Sequence, residues 1–177
     1  FRLAFEQALS RGADWAELYF EHRVGHHVGL EDGAVNRAYS SVSLGVGVRV
    51  IRGDQTGYAY TEDLSRTAVC DAAATAAVVA EGDSKQGPQA YAVRAVADRY
   101  RVEVPWEDVG IEQKMPILAQ LNESAFAAND AIVKVQVGFA DTSGAILVVN
   151  SDGQITFDKQ PMTRLSMSCT AEKDGRR

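Results

Sequence analysis

Residues 16–30 alternate in polarity without a break, and this run limits the fold more than any other feature of the chain. Ala16, Leu18, Phe20, His22, Val24, His26, Val28 and Leu30 fall on one side; Glu17, Tyr19, Glu21, Arg23, His27 and Glu31 fall on the other. A period of two marks a strand with one face buried. The parity holds throughout, so the run reads as one long strand, or two nearly collinear ones bent near Gly25. Asp32-Gly33 follows at once, a dipeptide that favours a tight β-hairpin turn. Residues 34–40 read as the returning strand. Residues 42–50 alternate again, with Val42, Leu44, Val46, Val48 and Val50 opposed to Ser43, Gly45, Gly47 and Arg49. Arg52-Gly53-Asp54-Gln55 has the composition of a turn, and residues 56–61 return as a strand carrying Tyr58 and Tyr60. The expectation is an antiparallel meander of about four strands.

Helical spacing appears in three places. Residues 2–11 place Leu3, Phe5, Ala8 and Leu9 on one broad apolar side, and Gly12 suits the helix end. Asp63 or Ser65 is placed to cap an Ala-rich helix running from about 64 to 81, with Gly82 as its stop. Residues 83–89 are polar with Gly and Pro, a loop composition. Val102 and Val104 suggest a short strand ended by Pro105-Trp106. Residues 110–129 keep Ile111, Met115, Leu118, Leu121 and Ala125 at three-to-four spacing, and Pro116 falls early enough to be tolerated. A second strand set follows. Val133, Val135, Val137 and Phe139 alternate, Asp141-Thr142-Ser143-Gly144 turns, residues 145–149 are apolar like a central strand, and Asn150-Ser151-Asp152-Gly153 turns again. Ile155 and Phe157 alternate, Pro161 interrupts, and residues 163–171 form the last strand. The fold class is therefore α+β, with mainly antiparallel sheet or sheets and two or three helices, in two helix-plus-four-strand halves. The halves correspond to lobes 1–82 and 101–177, joined by a loop over 83–100.

Composition narrows the function. With 46% apolar residues the chain can build a core. No apolar run approaches the ~18 residues of a membrane helix, so no membrane partner is expected. The net charge is −6, Lys and Arg are scattered, and the phosphate-binding stripe of a nucleic-acid binder is missing. Nucleic acid is not an expected partner. Two cysteines, Cys70 and Cys169, are too few for a disulfide scaffold. They read as buried, reduced thiols of a cytoplasmic protein.

His22, His26 and His27 invite a metal reading. On a strand, however, His22 and His26 stand about 13 Å apart at ~3.3 Å per residue, too far for one ion. Gly45-Val46-Gly47 lies inside a strand and lacks the third glycine of a dinucleotide loop. The pairs Glu31-Asp32, Glu62-Asp63 and Glu107-Asp108 fall at turns or caps, where carboxylates serve the local backbone. No catalytic, cofactor-binding or metal-binding residue is expected in this chain. What remains is one strand face with two glycines. It suits a bend, a closely packed helix, or a surface that another backbone approaches. Gly45, Gly47 and Arg49, with Tyr58 and Tyr60 on the next strand, are the residues expected to contact a peptide or a subunit.

Five short words, in order along the chain, carry a resemblance: LEDG (30–33), GVGVRV (45–50), TGYAYTEDLS (56–65), NSDG (150–153) and AEKDGRR (171–177). Together they resemble the TldD/PmbA family, metallopeptidases once called modulators of DNA gyrase, and the EKDGRR ending is closer to the TldD branch. The family's peptidase signature is a His-Glu-x-x-x-His helix, and this chain has no His-Glu pair. The resemblance implies that residues 1–177 are the N-terminal domain of a longer protein whose catalytic domain, with its zinc, lies outside this chain. It further implies a homodimer or a heterodimer with a related subunit, and peptide substrates for the full-length protein. On this reading the domain encloses or presents peptides and makes subunit contacts. The rival expectation is a stand-alone binding or adaptor domain, with direct DNA or gyrase binding disfavoured by the charge.

Overall fold

The Asp32-Gly33 hairpin forms with φ of 51° and 82°, the left-handed pair that a two-residue turn of this hand demands. The computed structural model describes residues 1–79, 87–97 and 99–176. On either side of the turn run β1 (Trp15–Glu31) and β2 (Ala34–Arg52). Asp32 also anchors the turn to a third strand: its N–H donates to the Val135 carbonyl at 2.9 Å and its Oδ1 accepts from the Val135 N–H at 2.8 Å. The remaining elements are α1 (Arg2–Leu9), β3 (Gln55–Thr61), α2 (Arg66–Ala76), β4 (Ala92–Arg94), α3 (Ile111–Ala128), β5 (Ile132–Asn150) and β6 (Gln154–Ala171). The strand order in the six-stranded sheet is β3-β2-β1-β5-β6-β4. β3 runs antiparallel to β2, and β4 parallel to β6. The class is α+β with a mostly antiparallel sheet, as expected.

Helix boundaries follow local chemistry. Gly12, at φ 85°, ends the α1 region and donates to the Leu9 carbonyl at 3.1 Å. Ser65 caps α2, its Oγ accepting from the Ala68 N–H at 3.3 Å, while Asp63 Oδ1 accepts from the Ser65 N–H. α2 gives way to a 3₁₀ turn at Ala77–Val79. The expected continuation to 81 and its stop at Gly82 lie outside the described residues, as do positions 83–86 of the expected loop. Gly110 stands at the start of α3, and its N–H donates to Gln113 Oε1 at 2.7 Å.

Several expected breaks do not occur, and the described residues form six strands where about eight were expected. β2 passes through position 41 without interruption. Its first half is exposed, so Val42 and Leu44, at 69% and 44%, do not share the core with Val46, Val48 and Val50. Asp141-Thr142-Ser143-Gly144 is not a turn; β5 continues through it. Pro161 does not interrupt β6. Only residues 154–156 of β6 pair with β4, so among the described residues no strand on that side needs an N–H from position 161. Residues 102–104 form no strand; the short strand of this region is β4 instead. Cys70 is half-buried and Cys169 exposed, both as free thiols. Cys169 escapes burial because both parities of β6 are exposed over residues 162–169.

Two compact units arise, each from three chain segments. In the first (1–22, 43–99 and 145–159), α1 and α2 cover one face of the strands. Ala4, Phe5, Ala8 and Leu9 from α1 meet Val69, Ala72, Ala73 and Ala76 from α2, over Leu18, Val46, Val48, Val50 and Val149. The alanines let helix and sheet approach closely. In the second (23–42, 100–144 and 160–177), α3 lays Leu118 and Ala125 on Val28, Leu30, Val135, Val137 and Phe139.

Candidate functional site

The register of β2 and β3 explains how one face becomes a surface in the first unit. Gly47 pairs with Tyr60 and Arg49 with Tyr58. Opposite residues of an antiparallel pair point the same way, and Gly45 shares their parity. Gly45, Gly47, Arg49, Tyr58 and Tyr60 are therefore brought together on one face, opposite the valines that meet α1 and α2. Tyr58 and Tyr60 are 64% and 73% exposed. A β-carbon on Gly47 would lie 2.5 Å from the Tyr58 Oη and 3.1 Å from its ring; one on Gly45 would lie 3.1 Å from the Thr61 carbonyl. So the element lying against Gly47 is a side chain of the neighbouring strand. Arg49 is held at the side, its Nη2 3.1 Å from Glu17 Oε1 and its guanidinium 5.4 Å from the centre of the Trp15 ring.

This geometry makes Gly47→Val a mild change in stability. The group in the way is the exposed end of a tyrosine, which can swing aside, and valine suits a strand better than glycine. We expect a loss within about 1 kcal/mol, with displaced Tyr58 ring resonances in NMR spectra. A loss above ~3 kcal/mol would mean that the ring is locked in place.

The second unit holds a centre that the sequence did not disclose. Lys114 Nζ lies 2.6 Å from Asp141 Oδ2, and both side chains are buried. His26 Nδ1 lies 3.0 Å from Asp141 Oδ1. A carboxylate only accepts, so Nδ1 carries the proton and donates it. Lys114 also faces Trp106 and Phe139, its Nζ 5.6 and 5.8 Å from the ring centres, a cation–π arrangement. His26, Lys114 and Asp141 line an open cavity of about 440 Å³ together with Tyr39, Trp106 and Phe139. The group ties α3 to β1 and β5 through charge. Its one signal in the sequence was parity: Asp141 continues the buried side of Val135, Val137 and Phe139. On α3 the buried stripe is Lys114, Leu118, Asn122 and Ala125, whereas Ile111, expected on the apolar side, is exposed.

The three histidines separate as a strand requires. His22 is exposed, His26 meets Asp141, and His27 stacks on Tyr39 at 5.0 Å. Among the described residues no group of three or more His, Cys, Asp or Glu side chains is arranged to hold a metal. Of the paired carboxylates, Glu31 is the most engaged. Lys134 Nζ lies 2.7 Å from its Oε1, and Gln136 and Asn36 donate to its Oε2. The Lys134 hydrogen bond, then that of Gln136, holds its carboxyl below the ordinary 4.5. A depressed carboxyl adds stability above its unfolded pKa and loses it as pH falls through the folded value. Lys134→Met is thus expected to raise the Glu31 titration midpoint toward 4.5 in carboxyl-carbon NMR; an unmoved midpoint would show that the pair does not persist in solution.

Comparison with known proteins agrees with this architecture. The family model for domain 1 of the PmbA/TldA metallopeptidases matches residues 16–80, and that for the central domain matches residues 104–177. The chain belongs to the TldD/PmbA family. It is 29% identical to the metalloprotease TldD homolog of Haemophilus influenzae over 98% of its own length and 36% of that protein. Its fold matches that of a Bacteroides thetaiotaomicron protein named as a proposed modulator of DNA gyrase, with a TM-score of 0.72, 16% identity, and coverage of 98% of this chain and 41% of that one. TldE from Thermococcus kodakarensis gives a TM-score of 0.63 and 13% identity, over 92% and 37% of the two chains. The chain thus spans about a third of the length of the curated relatives it matches, and corresponds to their N-terminal part. No helix among the described residues is long and apolar enough to cross a membrane.

Proposed function

We propose that this chain is the non-catalytic N-terminal part of a zinc-dependent TldD-type peptidase, and that it presents peptides to the catalytic part and contributes to subunit contacts. The proposal includes a cytoplasmic dimer, of identical or related subunits. The zinc would supply an activated water for peptide hydrolysis when bound; its ligands would come from outside these 177 residues, since the chain has no His-Glu pair. The observation that carries the presenting role is β3. It is one of the two outer strands of the sheet among the described residues, with exposed Tyr58 and Tyr60 on one face. An edge strand offers backbone donors and acceptors to an extended peptide, and flanking aromatic side chains can select its residues.

The test uses amide exchange of β3 with and without an unfolded peptide, alongside Tyr58→Ala/Tyr60→Ala in the full-length peptidase. Added peptide should slow exchange at alternate β3 amides, and the double substitution should raise KM with little change in kcat. Unchanged exchange together with unchanged KM would refute presentation by this edge. A double variant that fails to form the dimer would assign the face to subunit assembly instead.

A further inference from the structure

On the face of the second unit turned away from α3 lies an open cavity of about 480 Å³ with a different chemistry. Its floor includes Gly29 and Gly138. A β-carbon on Gly29 would come within 3.0 Å of Asn36 Oδ1, and one on Gly138 within 3.1 Å of Ser166 Oγ. The glycines therefore let polar side chains lie directly over the sheet. Arg37 from β2 and Arg164 from β6 both line this cavity. Both are exposed, and neither has an ion pair or hydrogen bond among the described residues. Among the described residues no Asp or Glu lines the cavity, although acidic residues outnumber basic ones in the chain, 24 to 18. His27 adds a ring whose Nδ1 is buried without a hydrogen-bond partner among the described residues, and Ser166 and Ser168 add hydroxyls. Glu31 touches the lining through Asn36 and Gln136, and Lys134 compensates its charge at 2.7 Å.

We propose that this cavity binds an oxyanion, held between the guanidinium groups of Arg37 and Arg164 with His27 and the serine hydroxyls as further donors. A guanidinium presents two parallel N–H donors that match both carboxylate and phosphate. Among the described residues neither guanidinium has a counter-charge, so an anion in the cavity would supply the partner that both lack. The source is either free inorganic phosphate or the terminal carboxylate of a peptide. The inference does not rest on peptide presentation by β3, which involves other residues.

The experiment titrates the chain with inorganic phosphate, with an N-acetylated dipeptide bearing a free carboxylate, and with the same dipeptide as its amide. Binding is read by calorimetry and by arginine side-chain NMR. Arg37→Ala and Arg164→Ala should each weaken binding about tenfold or more, since each removes charge-assisted bonds. Arg37→Lys should retain part of the affinity. Arg66→Ala removes the same charge from α2, outside the cavity, and should change little. Phosphate binding alone identifies a free-anion site. Binding of the dipeptide acid but not its amide identifies a peptide carboxylate. No binding of any of the three overturns the proposal, and so does binding that survives both arginine substitutions or falls equally with Arg66→Ala.

Discussion

Replacing Lys114 by methionine is expected to destabilise the second unit by about 3–5 kcal/mol. The two side chains are similar in length, so packing changes little and the loss is electrostatic. Asp141 is 2% exposed and, among the described residues, would keep His26 alone as a partner for its charge. Removing one member of a buried pair strands the other in a medium that solvates it poorly. The pair itself is not the source of that much stability. Lys114→Met/Asp141→Leu should recover most of the loss, because replacing both charges by apolar groups of similar volume is often neutral or favourable. Trp106 faces Lys114 at 5.6 Å, and the chain has only two tryptophans. Urea denaturation followed by Trp106 fluorescence, in a Trp15→Phe background, measures both variants. A loss below ~1 kcal/mol for the single change would mean that water reaches the carboxylate.

Phe5→Ala is the second change with a large expected effect. The family model for domain 1 begins at residue 16, so α1 lies outside the matched span. Yet Phe5 is fully buried, and with Ala4, Ala8 and Leu9 it forms one wall of the first core. Truncating a buried phenylalanine removes its transfer free energy and leaves a cavity, about 3–5 kcal/mol in all. Trp15 lies in the first unit and reports the transition by fluorescence in a Trp106→Phe background. A shift of less than ~1 kcal/mol would show that α1 is peripheral and that α2 alone completes the core.

The elements legible in the sequence were those set by neighbours along the chain. β1 was legible because fifteen residues hold one parity, and the Asp32-Gly33 turn because few dipeptides accept two positive φ angles. The Ser65 cap and the start of α3 at Gly110 depend on backbone donors within three residues. The face of Gly45, Gly47, Arg49, Tyr58 and Tyr60 was also within reach, because a hairpin register turns sequence spacing into adjacency.

Other features depended on partners far along the chain. Asp141-Thr142-Ser143-Gly144 has turn composition, but a lysine 27 residues away holds Asp141 in a strand; that ion pair and the His26 hydrogen bond answer the burial of a polar residue inside β5. Pro161 stays in β6 because, among the described residues, β4 pairs only with residues 154–156 and no strand lies beyond position 161 to be served. Val42 and Leu44 keep the parity of the core but are exposed, because the apolar cluster under α1 and α2 takes in β2 only from Val46 onward. By itself, then, the sequence determined most strand and helix identity, the three hairpin turns and the family, all of which rest on local periodicity, local backbone chemistry and short local words. Only the tertiary structure decided which faces are covered, which charges meet, and that Arg37 and Arg164 line one cavity. Those outcomes depend on distances between residues that no local rule relates.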